Sequence, residues 1–587
     1  MKRCPECRRD YHDDSLSYCL DDGTVLVDGP QLEPPTGIPA SASASGMAKL
    51  AGGQFVDEPA TAIFSEAPTK QQAKNTDQTA ILTSKPVAVV TGGYRLDRRL
   101  LAAPIFIAIV ALGFFGYRYL RVSESGPINS IAVMPFENRS GSTDTDYLSD
   151  GLTDSLIFRF SQLPNLKVSP TSSVMRYKGS GTDVAQVAKE LDVDAVLSGR
   201  LSQLGDNLNI SVQLIDTRSK KLIWAEQYDR KMADMLATQR EIATTITQKL
   251  QLKLASDEKG ITKKYTNSNE AYQLYLKGRY YWAKRSKDEM FKAIDSYKQA
   301  IALDPDFALA YAAMAEVYNS MAKDPDVAPK DAVPFAKTAA TRALELDPTL
   351  PEAHSAFGDS LAIYDWNWAD SEREFKRALE LDPNISYIHL AYSGSYLGPA
   401  GKLDEAVKEA ERAVEQEPLS LINNAVLASA YIYARQYDKA VAQAQKTYDL
   451  DPGFPLARHW LGMSYVATQQ YEKAISISQE VSTDSVSRWL AIVVLGHAYA
   501  KMGRRADAEK QIAELRDLAK TRYIRPYYIA SIYAALGDKD NAFAELERSF
   551  QERDVYLNRI NGDPFMDPLR DDPRFKTLLQ RMNLPAH

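Results

Sequence analysis

Cysteine is nearly absent. The three in the chain, Cys4, Cys7 and Cys19, all fall within the first 19 of 587 residues. No disulfide framework can therefore hold the rest together, and such tight clustering points to local metal binding instead. Histidine is scarce, at six residues. No nucleophile–base pair stands out, and Gly179 to Asp183 (GSGTD) lacks the Lys-Ser/Thr of a phosphate-binding loop. An enzyme is not expected. Long basic runs are missing too, and the net charge is −7, so nothing in the bulk of the chain points to nucleic acid. Long apolar runs are limited to one, Leu100 to Tyr117. The start, Met-Lys-Arg, has no apolar stretch behind it and is not a cleavable signal peptide.

What is present is a period. Ala406, Ala440, Ala474, Ala508 and Ala542 stand 34 residues apart, and Ser371, Ala336 and Ala293 extend the series backwards with one long step. Tyr396, Tyr431, Tyr465, Tyr499 and Tyr533 run parallel to it. Within one period, PLARHWLGMSYVATQQ and YEKAISISQEV each carry apolar residues at helical spacing. Each unit therefore reads as two short antiparallel helices, with small residues such as Gly462 and Ala474, or Gly358 and Ser371, where helices cross. The LDP signals at Leu303, Leu346 and Leu381 end units, because proline cannot continue a helix but starts one well.

These small and aromatic positions resemble the tetratricopeptide (TPR) family over residues 267–550, about eight units, with residues 551–587 as a C-terminal cap. A stacked helical repeat has no enclosed active site and offers a concave groove lined by the first helix of each unit. Carrying over the family's groove positions places Tyr387, Leu390, His459, Met463, His497 and Tyr527 there. That groove lacks the Lys/Arg pair with which TPR domains clamp a carboxylate, so the resemblance implies an apolar or extended peptide as ligand.

At the N-terminus, Cys4-Pro-Glu-Cys7 is a C-x2-C turn, followed by Cys19 and Asp22-Gly23. Zinc takes four tetrahedral N, S or O ligands. The expected site is a structural zinc ion (Zn) on Cys4, Cys7, Cys19 and Asp22, with His12 as the alternative fourth ligand. Residues 1–27 resemble the short zinc ribbon that opens many bacterial membrane proteins. Residues 28–93 are rich in Ala, Ser, Pro, Thr and Gly and are expected to be a disordered linker. Within them Thr61-Ala-Ile-Phe is echoed by Thr79-Ala-Ile-Leu, which makes Thr61 and Thr79 candidate phospho-acceptors, with chance similarity the simpler account.

The uncharged run Leu100 to Tyr117, within a candidate helix at 100–120, has about the length of a bilayer and is bracketed by Arg95, Arg98, Arg99, Arg118 and Arg121. The expectation is one transmembrane helix in the inner membrane, with a cytoplasmic N-terminus and exported C-terminal domains. From 127 to 256 short strands (SIAVMPF, LKVSP) alternate with helical stretches, and DAVLSGRLSQLGDNLNISVQLIDTRSKKLIWAEQYD reads as three strands. With IAVMPFENRS and YLSDGLTDSL this α+β segment resembles the TolB-amino-terminal-like or FlgO-type domain of bacterial envelope proteins. Ser149 and Asp150 are expected to start its first helix, and Asp216 to end a hairpin.

The order is similar to bacterial single-pass proteins in which a cyclase, kinase or winged-helix domain precedes the same outer half. The expected fold class is multidomain: zinc ribbon, linker, membrane helix, α+β domain and all-α solenoid. The expected function is a membrane-anchored interaction scaffold or sensor, with a protein or peptide in the groove and a partner on the ribbon, signalling through self-association. The alternative is a transcription-linked regulator whose ribbon, with Lys2, Arg3, Arg8 and Arg9, contacts nucleic acid.

Overall fold

Leu208, Ile210, Val212 and Leu214 alternate with polar residues, and the alternation puts four apolar side chains on one face of a strand at 2% exposure or less. The computed structural model of the chain describes residues 128–140, 145–163, 166–179, 183–250, 263–324, 327–479 and 486–584, with two-residue strands at 2–3, 10–11 and 27–28. Lys2–Arg3 pairs antiparallel with Asp10–Tyr11. The zinc-site residues, Thr61, Thr79 and the run at 100–120 lie outside the described residues.

The α/β domain has six strands: β1 (Ser130–Val133), β2 (Glu137–Asn138), β3 (Lys167–Val168), β4 (Ala195–Leu204), β5 (Asn207–Asp216) and β6 (Lys221–Lys231). Their order is β3-β1-β4-β5-β6, with β2 also pairing β4. The first three run parallel and the last three form an antiparallel meander. The first hairpin turns on Gly205 and Asp206, and Gly205 takes φ +58°, which a two-residue turn between twisted strands demands. At Gly199 a Cβ would lie 2.3 Å from the Phe136 ring, so only glycine lets that ring cross the sheet. The helices are α1 (Asp146–Ser161), α2 (Thr171–Met175), α3 (Val184–Leu191) and α4 (Met235–Lys249). Leu148, Leu152, Leu156 and Phe160 of α1 and Ile242 and Ile246 of α4 share one core with the sheet.

Of the expected cap and turn residues, the helix start differs and the hairpin end does not. Thr145, not Ser149 or Asp150, precedes α1; Ser149 donates to its own helix and Asp150 pairs with Lys178. Asp216 does close its turn, accepting from the backbone N–H groups of Arg218 and Ser219.

Eight helix pairs follow among the described residues. They are α5 (Asn269–Ala283) with α6 (Lys287–Leu303), α7 (Ala308–Lys323) with α8 (Val333–Leu346), and α9 (Pro351–Ser360) with α10 (Trp368–Leu381). Next come α11 (Ser386–Ala391) with α12 (Leu403–Gln416), α13 (Leu421–Tyr433) with α14 (Tyr437–Leu450), and α15 (Pro455–Ala467) with α16 (Tyr471–Gln479). The last are α17 (Val486–Lys501) with α18 (Arg505–Leu518) and α19 (Pro526–Ala535) with α20 (Lys539–Gln551), and α21 (Pro573–Arg581) ends the chain. Single π-helical turns extend α9 and α11 through Asp365 and Leu397.

The glycines set two kinds of close approach. A Cβ on Gly358 would press on Ser371 and Glu374 of its own unit's second helix at 3.2 Å. On Gly462 it would meet Val494 at 2.7 Å, and on Gly496 Ile532 at 2.6 Å, both in the next unit's first helix. The expected Gly462–Ala474 crossing is thus a crossing between units.

A second repeat is written in hydrogen bonds. His354 Nε2 meets Pro348 O at 3.0 Å and His389 Nε2 meets Pro383 O at 2.8 Å. Asn424 Nδ2 donates to Pro418 O and Arg458 Nη2 to Pro452 O, at 2.9 and 3.2 Å. Each side chain stands six residues after the helix-stop proline and ties the unit boundary. A third series is the left-handed turn after the first helix: Gly401, Arg435, Gln469, Gly503 and Gly537 all have φ between 59° and 77°.

Among the described residues no helix is long and apolar enough to cross a membrane. The single-pass placement with exported C-terminal domains is corrected accordingly. The described helices are amphipathic or packed between neighbours, and their apolar faces are spent on one another.

Candidate functional site: a cavity between the α/β domain and the solenoid

The concave face is not open along its length. Beyond α20 the chain turns back and lays residues 555–569 across the first helices of the later units. Tyr527 Oη donates to Asp563 Oδ2 at 2.6 Å, and the Phe565 ring lies 5.0 Å from His497. Tyr556 packs at a tilt against Tyr528 with ring centres 5.5 Å apart, and Arg435 forks onto Asp567 at 2.7 and 2.9 Å. Leu557, Met566 and Leu569 are fully buried by this. The last helix adds Phe575, Leu578, Leu579 and Met582 to the same core, so the tail caps the final unit and also fills the groove beside it.

The six groove positions carried over from the repeat therefore divide. His459, Met463, His497 and Tyr527 are 4% exposed or less, and Leu390 is 7% exposed. These five are packed inside, not presented to a ligand. Burial lowers His459 to about 4 and His497 to about 3. Tyr387 differs: it is half-buried and lines a cavity.

That cavity measures about 1340 Å³ and lies between the first units of the solenoid and the α/β domain. The two walls are held together by specific contacts. Cβ of Leu276 stands 3.0 Å from where a Cβ on Gly151 would be, so α1 and α5 nearly touch there. Ser155 Oγ and Tyr272 Oη share a hydrogen bond of 2.8 Å, and Arg279 pairs with Asp154 at 3.1 Å. Further out, Gln162 Nε2 donates to Asp382 at 2.6 Å and Ser172 Oγ to Glu417 at 3.1 Å.

The groove reading anticipated little charge, yet the cavity wall is polar. Trp282 is fixed by donating from Nε1 to Glu316 Oε1 at 3.2 Å. Arg285 lies over the Trp282 ring at 3.7 Å and is exposed to the cavity. Desolvation inside the cavity lowers its guanidinium from the ordinary value, against the pull of Glu316 and Glu417. Arg285 has φ +57°, in the same left-handed turn two residues past a first helix that Arg435 and Gly503 occupy later. Glu352 also lines the cavity, and its Oε2 is buried without a hydrogen-bond partner. Burial lifts that carboxyl to about 7. Sequence reasoning missed Arg285, Trp282, Glu316 and Glu352. The available signal was the turn position marked by glycine at 401, 503 and 537, where an arginine is conspicuous.

Among the described residues, no group of three or more His, Cys, Asp or Glu side chains is placed to hold a metal ion.

Fold and cavity together define a TPR-like solenoid carrying a small α/β domain on its concave side. Comparison agrees for the repeat: residues 284–321 match the TPR repeat family. Residues 128–249 match a family described as HilA/YgeH-like transcriptional regulator, second domain. The chain is 30% identical over 235 residues to a putative adenylate cyclase 3 of Rhizobium meliloti, covering 40% of each chain. It is 25% identical over 255 residues to the transcriptional regulator HilA of Salmonella typhimurium, covering 41% of this chain and 44% of the regulator. The chain thus spans less than half the length of these curated relatives. Among solved structures it is similar to PilF of Pseudomonas aeruginosa, with a TM-score of 0.29, 16% identity, and coverage of 38% of this chain and 95% of that one.

Proposed function

We infer that this chain is a protein-interaction scaffold or sensor, not an enzyme, and that its ligand enters the cavity between the α/β domain and the early TPR units. The cavity itself carries this reading. It is walled by two domains, it is larger than the roughly 300–1,000 Å³ of small-molecule pockets, and it is the part of the concave face that the chain's own tail leaves open. The relatives support the same reading: one is named for cyclase activity and one for transcriptional regulation, and partial likeness to proteins named for different outputs suits a sensing or binding part. The test is panning of the full chain against displayed random peptides, with occupancy mapped by cross-linking. Cross-links to α1, α5 and α7 are expected; no enrichment, or cross-links confined to the tail, sinks it.

The likeness to HilA favours a second reading, a transcription-linked regulator whose N-terminal ribbon touches nucleic acid. Binding of the full chain to duplex DNA that weakens steeply with salt would favour it. The ribbon keeps its proposed zinc on Cys4, Cys7, Cys19 and Asp22. Supporting that, the strand pair Lys2–Arg3 and Asp10–Tyr11 flanks the C-x2-C. Metal analysis of the purified chain and its Cys4→Ser variant decides whether zinc is held there.

A further inference from the structure

Among the described residues, Arg285 is a cation without an ion pair, in a wall where nearby cations have theirs. Arg279 is engaged by Asp154, Lys178 by Asp150 and Lys284 by Glu289. The two carboxylates that act on Arg285 are themselves engaged: Glu316 by the Trp282 indole, Glu417 by Ser172 and by Ser386 at 2.5 Å. A guanidinium seated 3.7 Å over an indole ring can offer its N–H edge to a planar acceptor, which it takes in a fork. Its turn conformation also carries a cost for any residue but glycine. At Arg435 the same cost is set against a forked bond to Asp567, whereas at Arg285 the partner is missing.

The second unsatisfied group is Glu352. Its carboxyl is held by its own backbone N–H, and Oε2 is buried with nothing to bond. A buried polar atom without a partner is costly, so a ligand that supplies one gains affinity. With the carboxyl lifted to about 7, the neutral acid is well populated near neutrality and donates a hydrogen bond. Both groups therefore ask for oxygen acceptors: Arg285 for a carboxylate and Glu352 for a neutral carbonyl.

We propose that the cavity takes an extended peptide segment of a partner protein bearing an acidic side chain, whose carboxylate forks onto Arg285 over Trp282 while a backbone carbonyl of the segment meets Glu352. The cavity is too large for a single side chain, and its walls include Tyr275, Leu309 and Ala313, which suit apolar residues flanking the acid. A nucleic acid fits poorly, because Asp150, Glu316 and Glu417 on the same walls repel a string of phosphates.

This rests on the scaffold reading, and the experiment separates the two. The full chain is panned against a random heptapeptide library beside its Arg285→Glu and Arg285→Gln variants. The expected result is one position enriched in Asp or Glu for the wild type, replaced by Lys or Arg for Arg285→Glu and lost for Arg285→Gln. For an enriched peptide, Arg285→Gln should weaken binding about tenfold or more, as for a truncated charge-assisted bond. Glu352→Ala should weaken it about fivefold, while Glu352→Gln, which still donates, stays within about twofold. Enriched peptides with no acidic position, or a preference untouched by both Arg285 variants, overturn this proposal and leave the scaffold standing. No enrichment with any form overturns both.

Discussion

Arg525 and Asp554 form an ion pair from which water is wholly excluded, Nη1 to Oδ1 at 3.2 Å with both side chains at 0% exposure. The other guanidinium nitrogen donates to the carbonyls of Ala322 and Asp324 at 2.8 and 2.7 Å, about 200 residues earlier. Asp554 in turn accepts from the backbone N–H groups of Tyr527 and Tyr556. One side chain thus joins the eighth unit to the second. Nearby, Trp368 Nε1 donates to Met582 O at 2.8 Å and Arg553 to Tyr364 O at 3.2 Å, so the third unit is tied to the tail as well. The solenoid closes on itself.

Removing one partner of such a pair leaves the other charged and buried. Arg525→Ala should therefore cost about 3–5 kcal/mol of stability in equilibrium denaturation. A loss near 1 kcal/mol, the size of a surface pair, would show that the ends are not joined in solution.

The tail in the groove is held by packing. Phe565→Ala removes the ring against His497 and should cost about 3 kcal/mol or more, at the lower end of the usual range because the ring is not fully enclosed. Amide exchange in α15 and α17 should quicken with it. Unchanged protection there would mean that the tail does not cover those helices.

The buried imidazoles set an acid limit. His459 and His497 are held at about 4 and about 3 because burial penalises the charged ring. Below the ordinary value near 6.5 the unfolded chain binds protons that the folded chain does not, so stability falls as pH drops from about 6.5 towards 4. At about 1.4 kcal/mol per pKa unit the pair represents several kcal/mol. Glu352 acts in the opposite sense: raised to about 7, its share is present below about 4.5 and lost as pH climbs to 7. Burial raises Asp563 and Glu552 in the same sense as Glu352, so the imidazole share is read by difference: between pH 7 and 4.5 the wild type should lose more stability on acidification than His497→Gln.

Arg435 tests the left-handed turn. It has φ +59° and pairs with Asp567 while both side chains remain partly exposed, at 47% and 38%. Such a pair contributes up to about 1 kcal/mol, and glycine relieves a backbone cost of about the same size. Arg435→Gly should therefore change stability by less than about 0.5 kcal/mol, while Arg435→Ala loses the pair and keeps the strain. Equal losses in both would refute the turn assignment.

The helix pairs were legible because every unit meets the same packing demand: Ala406, Ala440, Ala474 and Ala508 are all buried where helices cross. The meander of β4, β5 and β6 was legible for a similar reason, since alternation at Ile210, Val212 and Leu214 is a property of neighbours in the chain. The positions carried over to the inner face, His459, His497 and Tyr527, are buried against neighbouring elements. The carry-over treated the face as free, and the tail that covers it was assigned only to the last unit.

Arg285 and Glu352 escaped for the same reason. Nothing near either residue in the chain says that α1 will lie opposite, or that the carboxylates nearby will be engaged by Trp282, Ser172 and Ser386. Periodicity, caps and strand alternation are decided over a few consecutive residues, where backbone geometry and one apolar face suffice. Closure of the ring, burial of the tail and the cavity under the α/β domain depend on twist accumulated over eight units, where a small rotation per unit decides whether Arg525 meets Ala322 at all.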